Sequence, residues 1–369
     1  MKSAQQNRVL ESPGTGYRNQ VANDGFYLLN HLLLSNSICN MTTWNKIGRR
    51  TATQKEVYFI SLAIVALLAS CGGQSPSQAF PEPSEPRSGI VFTSDRTDNW
   101  DIFFIQADGS GLSQLTDFPG VDADPDWSPD GRMIAFRSRQ DGSSDIFVMG
   151  SDGSNPINLI GDADTSLDDE FAPQWNPDGK KFSLYTDRYP SRGNCIGGYH
   201  QIALLVQETG NYAIDLFDTI AGEQYSSTWS PDGRYLVFDS TCRIPGFQLY
   251  MFDTQTGDTK KITNEPISHT HPAWSHDGRF LAFAKYVGSN NEIFILDLNT
   301  SQQIQITNHP ANDIMPSWSP DDSQIAFVSN REGNKEIFIM NADGSGVYNL
   351  TNHPADDWYP SWSPVMFNP

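Results

Sequence analysis

Trp recurs at 127, 175, 229, 274, 318 and 362, and acidic or imidazole side chains stand at fixed distances before it. Five positions ahead of each Trp lie Asp122, Glu170, Gln224, His269, Asp313 and Asp357. One step further back are Asp169, Glu223, Asn312 and Asp356, while Asp124 and His271 stand three ahead of their Trp. If the repeat is wound about an axis, these equivalent positions form a ring at one mouth of a central channel. Carboxylate oxygens in a ring suit a hard cation such as Ca²⁺, or a basic peptide segment. The alternative is that each acid caps a loop within its own unit, and the spacing leaves both open. His269 and His271 are two apart, and on a strand such residues share a face, so a two-His metal site is a further reading. His309 and His353 occupy equivalent places in successive units, which keeps them apart. Four base–acid couples recur across one loop: Arg96 with Asp101, Arg139 with Asp145, Lys285 with Glu292, and Arg331 with Glu336. Their repetition reads as structural pairing within a hairpin. No GxSxG nucleophile elbow, P-loop, HExxH or Cys-pair zinc motif occurs.

The elements that must position these residues are written in the repeat. The Trp intervals are 48, 54, 45, 44 and 44. A Ser-Pro-Asp-Gly turn or a variant of it follows each of the first five Trp residues, as in 128–131 and 230–233, with Pro setting φ and Gly accepting positive φ. An apolar stretch comes next (MIAF, YLVF, FLAF, QIAF), then a polar loop and a second apolar stretch (DIFVM, EIFIL, EIFIM). A DGS-type turn and a short LT-like strand end the unit. Four strands in about 44 residues is the period of a propeller blade. Residues 90–116 supply three strands with no Trp strand, and Ser361–Pro364 is a Trp strand with nothing after it. Joined, they make a sixth unit. The fold expected is all-β: a six-bladed propeller over 89–369, closed by the C-terminal strand pairing with the N-terminal blade. Cys195 and Cys242 fall in the enlarged loops between the second and third strands of consecutive blades. In an oxidising compartment they are expected to form a disulfide.

The net charge of −20 divides unevenly, because the first 70 residues hold seven Lys/Arg against three Asp/Glu. An acidic body argues against nucleic acid and against direct adsorption to an anionic membrane. Residues 57–69 carry no charge, which suits the apolar core of a signal peptide better than a membrane span. Lys46, Arg49, Arg50 and Lys55 precede it, and Leu68-Ala69-Ser70-Cys71 follows. This run resembles the lipobox of bacterial lipoproteins. The resemblance implies cleavage before Cys71 and lipidation of its thiol, and Gly72 next to it leans toward the outer membrane. The expected organisation is an upstream extension over 1–40, a signal peptide over 41–70 beginning at Met41, a flexible tether over 71–88 and the propeller.

The WSPDG turn, the IAF and DIFxM strands, the Ser-Asp-Arg loop (Ser94-Asp95-Arg96) and the Asn-His-Pro linker (308–310, 352–354) resemble the propeller repeat of TolB, a periplasmic envelope family. The resemblance covers about 280 residues, and departs where TolB carries an α/β domain ahead of its propeller. It implies docking of a partner segment at the channel mouth. The function expected is a monomeric, lipid-anchored envelope module, facing the periplasm, that binds a protein or peptide segment there. The alternative is a metal-dependent polysaccharide lyase or hydrolase at the same mouth, by resemblance to oligogalacturonate lyases, whose related seven-bladed propeller uses a His-bound metal.

Overall fold

The computed structural model describes residues 81–365 apart from 141, 161–168, 188–199, 209–210, 217–221 and 242–245. Cys71, Cys195, Cys242 and the expected signal peptide lie outside the described residues. Twenty-four strands form six antiparallel sheets of four, and no helix occurs among the described residues. Five blades are each continuous in sequence: 122–158, 170–216, 224–261, 269–305 and 313–349. They are blades 2 to 6. Blade 1 is composite. Its inner strand is Asp357–Trp362, which pairs antiparallel with Ile90–Ser94, followed by Asp101–Ile105 and Ser113–Gln114. The closure expected from the two sequence fragments is therefore the closure observed.

A twisted four-stranded sheet has two faces and can bury them only against other sheets. The hydrophobic clusters accordingly lie between blades. One joins Val91, Ile102 and Phe104 of blade 1 to Trp127, Ile134 and Phe136 of blade 2. Another joins Ile90, Phe103 and Trp362 to Val328, Ile337 and Ile339 of blade 6, across the closure. Within a blade the IAF and DIF strands meet through aromatic rings. Phe92–Phe103, Phe136–Phe147, Phe283–Phe294 and Phe327–Phe338 have centroids 6.0, 5.7, 6.1 and 5.9 Å apart. Such cross-strand pairs stabilise a sheet beyond area burial by about 0.5–1.5 kcal/mol each.

The Ser-Pro-Asp-Gly turns are self-contained. Ser128 Oγ donates to Asp130 Oδ1 at 2.7 Å, and the same oxygen takes the Arg132 amide. Gly131 has φ 67°, where a Cβ would come within 2.8 Å of Val365. In blade 6 Asp322 replaces this Gly at φ 58°, and its carboxylate takes the amides of His276 and Asp277 in the neighbouring blade.

Alternation of strands puts these turns, and the turns from third to fourth strand, at one end of the ring, here the base. The loops from second to third strand and the linkers between blades sit at the other end, the mouth. The segment expected to be a free tether is, from residue 81 onward, bound to the base. Pro81 is buried. Ser363 donates its amide to Gly89 O and its hydroxyl to Arg87 O. Arg87 donates its amide to Gly131 O and Nη1 to Ser151 O, and stacks 3.7 Å from the Phe104 ring centroid. Ser151 Oγ donates to Glu85 O, and Ser84 Oγ to Asp152 Oδ1.

Because the closing strand completes both the blade 1 sheet and the blade 6 interface, deleting 358–369 opens the ring. The thermal midpoint is expected to fall by on the order of 10 °C. Calorimetry showing one transition at the unchanged temperature would contradict this closure.

Candidate functional site

The inner strands do not present the expected acidic ring. Asp122, Glu170, Gln224, His269, Asp313 and Asp357 are all 0% exposed, tucked beneath the linkers. Their amides tie neighbouring blades: Asp122 N donates to Trp100 O, Glu170 N to Ser144 O and His269 N to Phe247 O. Asp357 and Asp313 take bidentate bonds from Arg96 and Arg331, 2.8–3.0 Å in length. These arginines were expected to pair with Asp101 and Glu336. Instead the acids at the start of the third strand hold the linker to the next blade. Glu336 takes the His353 amide and the Thr351 hydroxyl, and Glu292 takes the His309 amide. Lys285 pairs with Glu265 at 2.7 Å rather than with Glu292, and Arg139 Nε donates to Gly142 O. His309 and His353 each accept the amide two residues on through Nδ1. They are turn residues.

The next ring outward is tied to the preceding blade. Asp169 takes the Ser144 amide, and Asp356 takes the amide and Nζ of Lys335. Glu223 differs, accepting from the Tyr225 hydroxyl of its own blade at 3.0 Å. Of the expected ring, only Asp124 and His271 line the channel. The cause is a β-bulge. Every inner strand shifts register, between its second and fifth residues in five blades and between Gln224 and Ser227 in blade 4. The bulged residue has positive φ in five blades: Asp124, Ala172, His271, Met315 and Tyr359. A bulge re-aims one side chain. It also separates His269 from His271. His269 packs on Phe283 and bonds Ile267 O through Nδ1, while His271 faces the channel and donates its amide to Asp239 Oδ2. Among the described residues no group of three or more His, Cys, Asp or Glu could hold a metal ion.

The channel wall encloses about 220 Å³ and includes Asp124, Asp126 and His271. Asp124 Oδ2 is 2.9 Å from Arg137 Nε. Burial pushes Asp126 and Asp239 up to about 7, and holds His271 down at about 4. Asp126 bridges three blades, taking the Trp175 amide at 2.8 Å and the Ser361 hydroxyl at 3.2 Å. Burial also raises Asp122 to about 6.

What the mouth does present is aromatic surface. Phe171 stacks on Tyr185 at 4.8 Å, and Tyr185 meets Tyr225 and His200 edge-on at 5.4 and 5.5 Å. Tyr225 continues to Phe247 at 5.5 Å. Arg137 lies 5.3 Å from the Phe171 centroid. Across the mouth, Trp358 stacks on Tyr359, with Lys335 Nζ 4.2 Å above the indole. Trp100, Val121, Arg137, Trp358 and Tyr359 line a side cavity of about 320 Å³ between blades 1 and 2. Phe171, Tyr225 and Trp358 occupy one repeat position, filled elsewhere by Ala123, Thr270 and Ile314. That departure from the repeat was the signal available in the sequence.

Six blades of four antiparallel strands about a central channel define a six-bladed β-propeller as the class. The chain belongs to the TolB beta propeller domain family, whose model matches residues 53–195 and 224–366. A Protein TolB homolog of Chlorobium luteolum is 29% identical over 173 residues, 47% of this chain and 36% of that protein. An uncharacterized peptidase, YuxL of Bacillus subtilis, is 27% identical over 165 residues, 44% of this chain and 21% of its own length. The matches thus span well under half of these curated relatives. Among solved structures, TolB from Acinetobacter baumannii superposes with a TM-score of 0.59 at 21% identity, covering 86% of this chain and 74% of that one. At that identity the likeness speaks for the fold.

Arg331→Ala strands the Asp313 carboxylate in the interior. Urea unfolding is expected to register a loss of about 3–5 kcal/mol, with Asp313→Asn in the same background recovering part of it. Equal stability of Arg331→Ala and the parent would refute the pairing. Asp126 and Asp239 keep their protons when folded at pH values where the unfolded chain has lost them. The stability they supply is complete below about pH 4 and fades as pH rises through 7. In Asp126→Asn the fall in thermal midpoint between pH 5 and pH 8 should therefore be smaller than in the parent.

Proposed function

We propose that the protein is a lipid-anchored module of the cell envelope that faces the periplasm and docks an extended protein segment on its aromatic channel mouth. The observation that carries this is the set of half-buried rings there: Phe171, Tyr185, Tyr225 and Trp358, with Tyr359 exposed, in a chain whose other large aromatics are mostly buried between blades. Aromatic side chains that bury apolar area on binding while keeping a polar edge are the usual anchors of protein interfaces. The paired Asp124 and Arg137 and the raised carboxyls favour a partner segment without strong net charge at its point of entry. Anchorage through Cys71, in the outer membrane, follows from the lipobox resemblance; the TolB kinship supports an envelope setting.

A photo-crosslinking amino acid at position 359, introduced in the living cell, should trap a discrete envelope protein, and the same probe at Asp130 on the base should not. Combining Phe171→Ala with Trp358→Ala should remove the adduct without lowering the amount of folded protein. Equal trapping at 359 and 130, or none at 359, would refute docking at the mouth.

A further inference from the structure

The base-bound segment has a direction. Gly89 and Arg87 are bonded to Ser363, at the end of the innermost strand. Arg87 reaches the first turn of blade 2 at Gly131, Ser151 holds Glu85, and Ser84 reaches Asp152 in the outer turn of that blade. Residues 89 back to 84 therefore run from the channel axis toward the rim along the base, never over the mouth. The segment is held at both ends, by Ser363 on one side and by Ser151 and Asp152 on the other. Adding a Cβ to Gly150 would strike Ser84 Oγ, so blade 2 is shaped to receive it.

We infer that residues 81–88 are an orienting strap: they fix the base as the membrane-facing end and present the aromatic mouth away from the membrane, to partners that are soluble or reach in from the opposite side. The inference rests on lipid anchorage at Cys71. Residues 72–80 separate that anchor from the strap. Nine residues span at most about 30 Å when fully extended, so the exit point on the base stays close to the surface. Ionised carboxylates on the base oppose its adsorption to an anionic membrane. Its turn carboxylates Asp108, Asp152, Asp232, Asp321 and Asp343 accept turn hydroxyls and amides, which hold them below the ordinary Asp range and keep them ionised. The result is a body held off the surface at tether length, with a defined upper face. A protein embedded in the same membrane would meet the base and rim before it met the mouth.

Fluorescent amino acids at Asn299 and Ser289, exposed at opposite ends of blade 5, read the orientation in vesicles of phosphatidylethanolamine and phosphatidylglycerol doped with acceptor lipid. Flotation first reports attachment, with Cys71→Ser as the control. On attached protein, energy transfer from position 299 should exceed that from 289 by at least about twofold. Replacing 81–88 with a Gly/Ser segment of equal length should bring the two values together while attachment persists. Equal transfer in the parent, or greater transfer from 289, overturns the strap. Should the cell leave Cys71 unmodified, the anchorage reading falls by itself. Coupling a maleimide lipid to Cys71, in a Cys39→Ser, Cys195→Ser, Cys242→Ser chain, then still decides orientation by the same comparison.

Discussion

No blade of this protein can bury its own two faces, and the rest of the structure follows from that constraint. Each sheet borrows its missing layer from its neighbours, so the apolar clusters lie between blades and the series must return to its start. The return is made by one strand, Asp357–Trp362, laid beside Ile90–Ser94. Polar groups of the inner strands follow the same logic. The Trp127 indole donates to Ser361 O and the Trp318 indole to Ala273 O, each in the preceding blade. The Trp362 amide is received by Ser317 Oγ, again one blade back. At positions 127 and 318 the periodic Trp is thus both wedge and clasp: its ring fills the seam while its N–H is satisfied across it.

The excess negative charge is distributed away from the channel. At the base, short turns stabilise their own ionised carboxylates through hydroxyls and amides. At the rim, carboxylates are spent on neighbouring backbone amides. Inside, Asp124, Asp313 and Asp357 are paired with arginines, while Asp122, Asp126 and Asp239 are raised toward neutrality by burial. The mouth therefore presents aromatic rings beside paired charges rather than a ring of free carboxylates.

The fold was legible because its signals are periodic: Trp spacing, turn chemistry and two complementary end fragments together give six blades and their closure. The site was legible only in part. Equivalence around the ring places Asp122, Asp313 and Asp357 at one level, but period alone does not say which way a side chain points once a strand bulges. Strict alternation would put residues 122 and 124 on one face. The bulge sends Asp124 into the channel and leaves Asp122 in the interior. The arginine pairings failed for a related reason. Arg96 and Arg331 sit beyond the end of the second strand, where the inner strand of the same sheet is nearer than the acid across the loop. Phe171, Tyr225 and Trp358 depart from the repeat, where Ala123, Thr270 and Ile314 stand in the other blades, so the periodic signal that gives the fold does not carry them.

The positive-φ bulge has a consequence for how such a protein can change. The scaffold spends its strict requirements on the Trp, the turn and the strand pairs. The bulged residues all line the channel, with Met315 also packed in the seam between blades 6 and 1, and their side chains are Asp, Ala, Ser, His, Met and Tyr in blades 2 to 6 and blade 1. Six adjacent sites on one wall can therefore be exchanged nearly independently, as pins of different length are exchanged in one lock body. Single substitutions there change the lining of the channel while the Trp, the turn and the strand pairs stay intact.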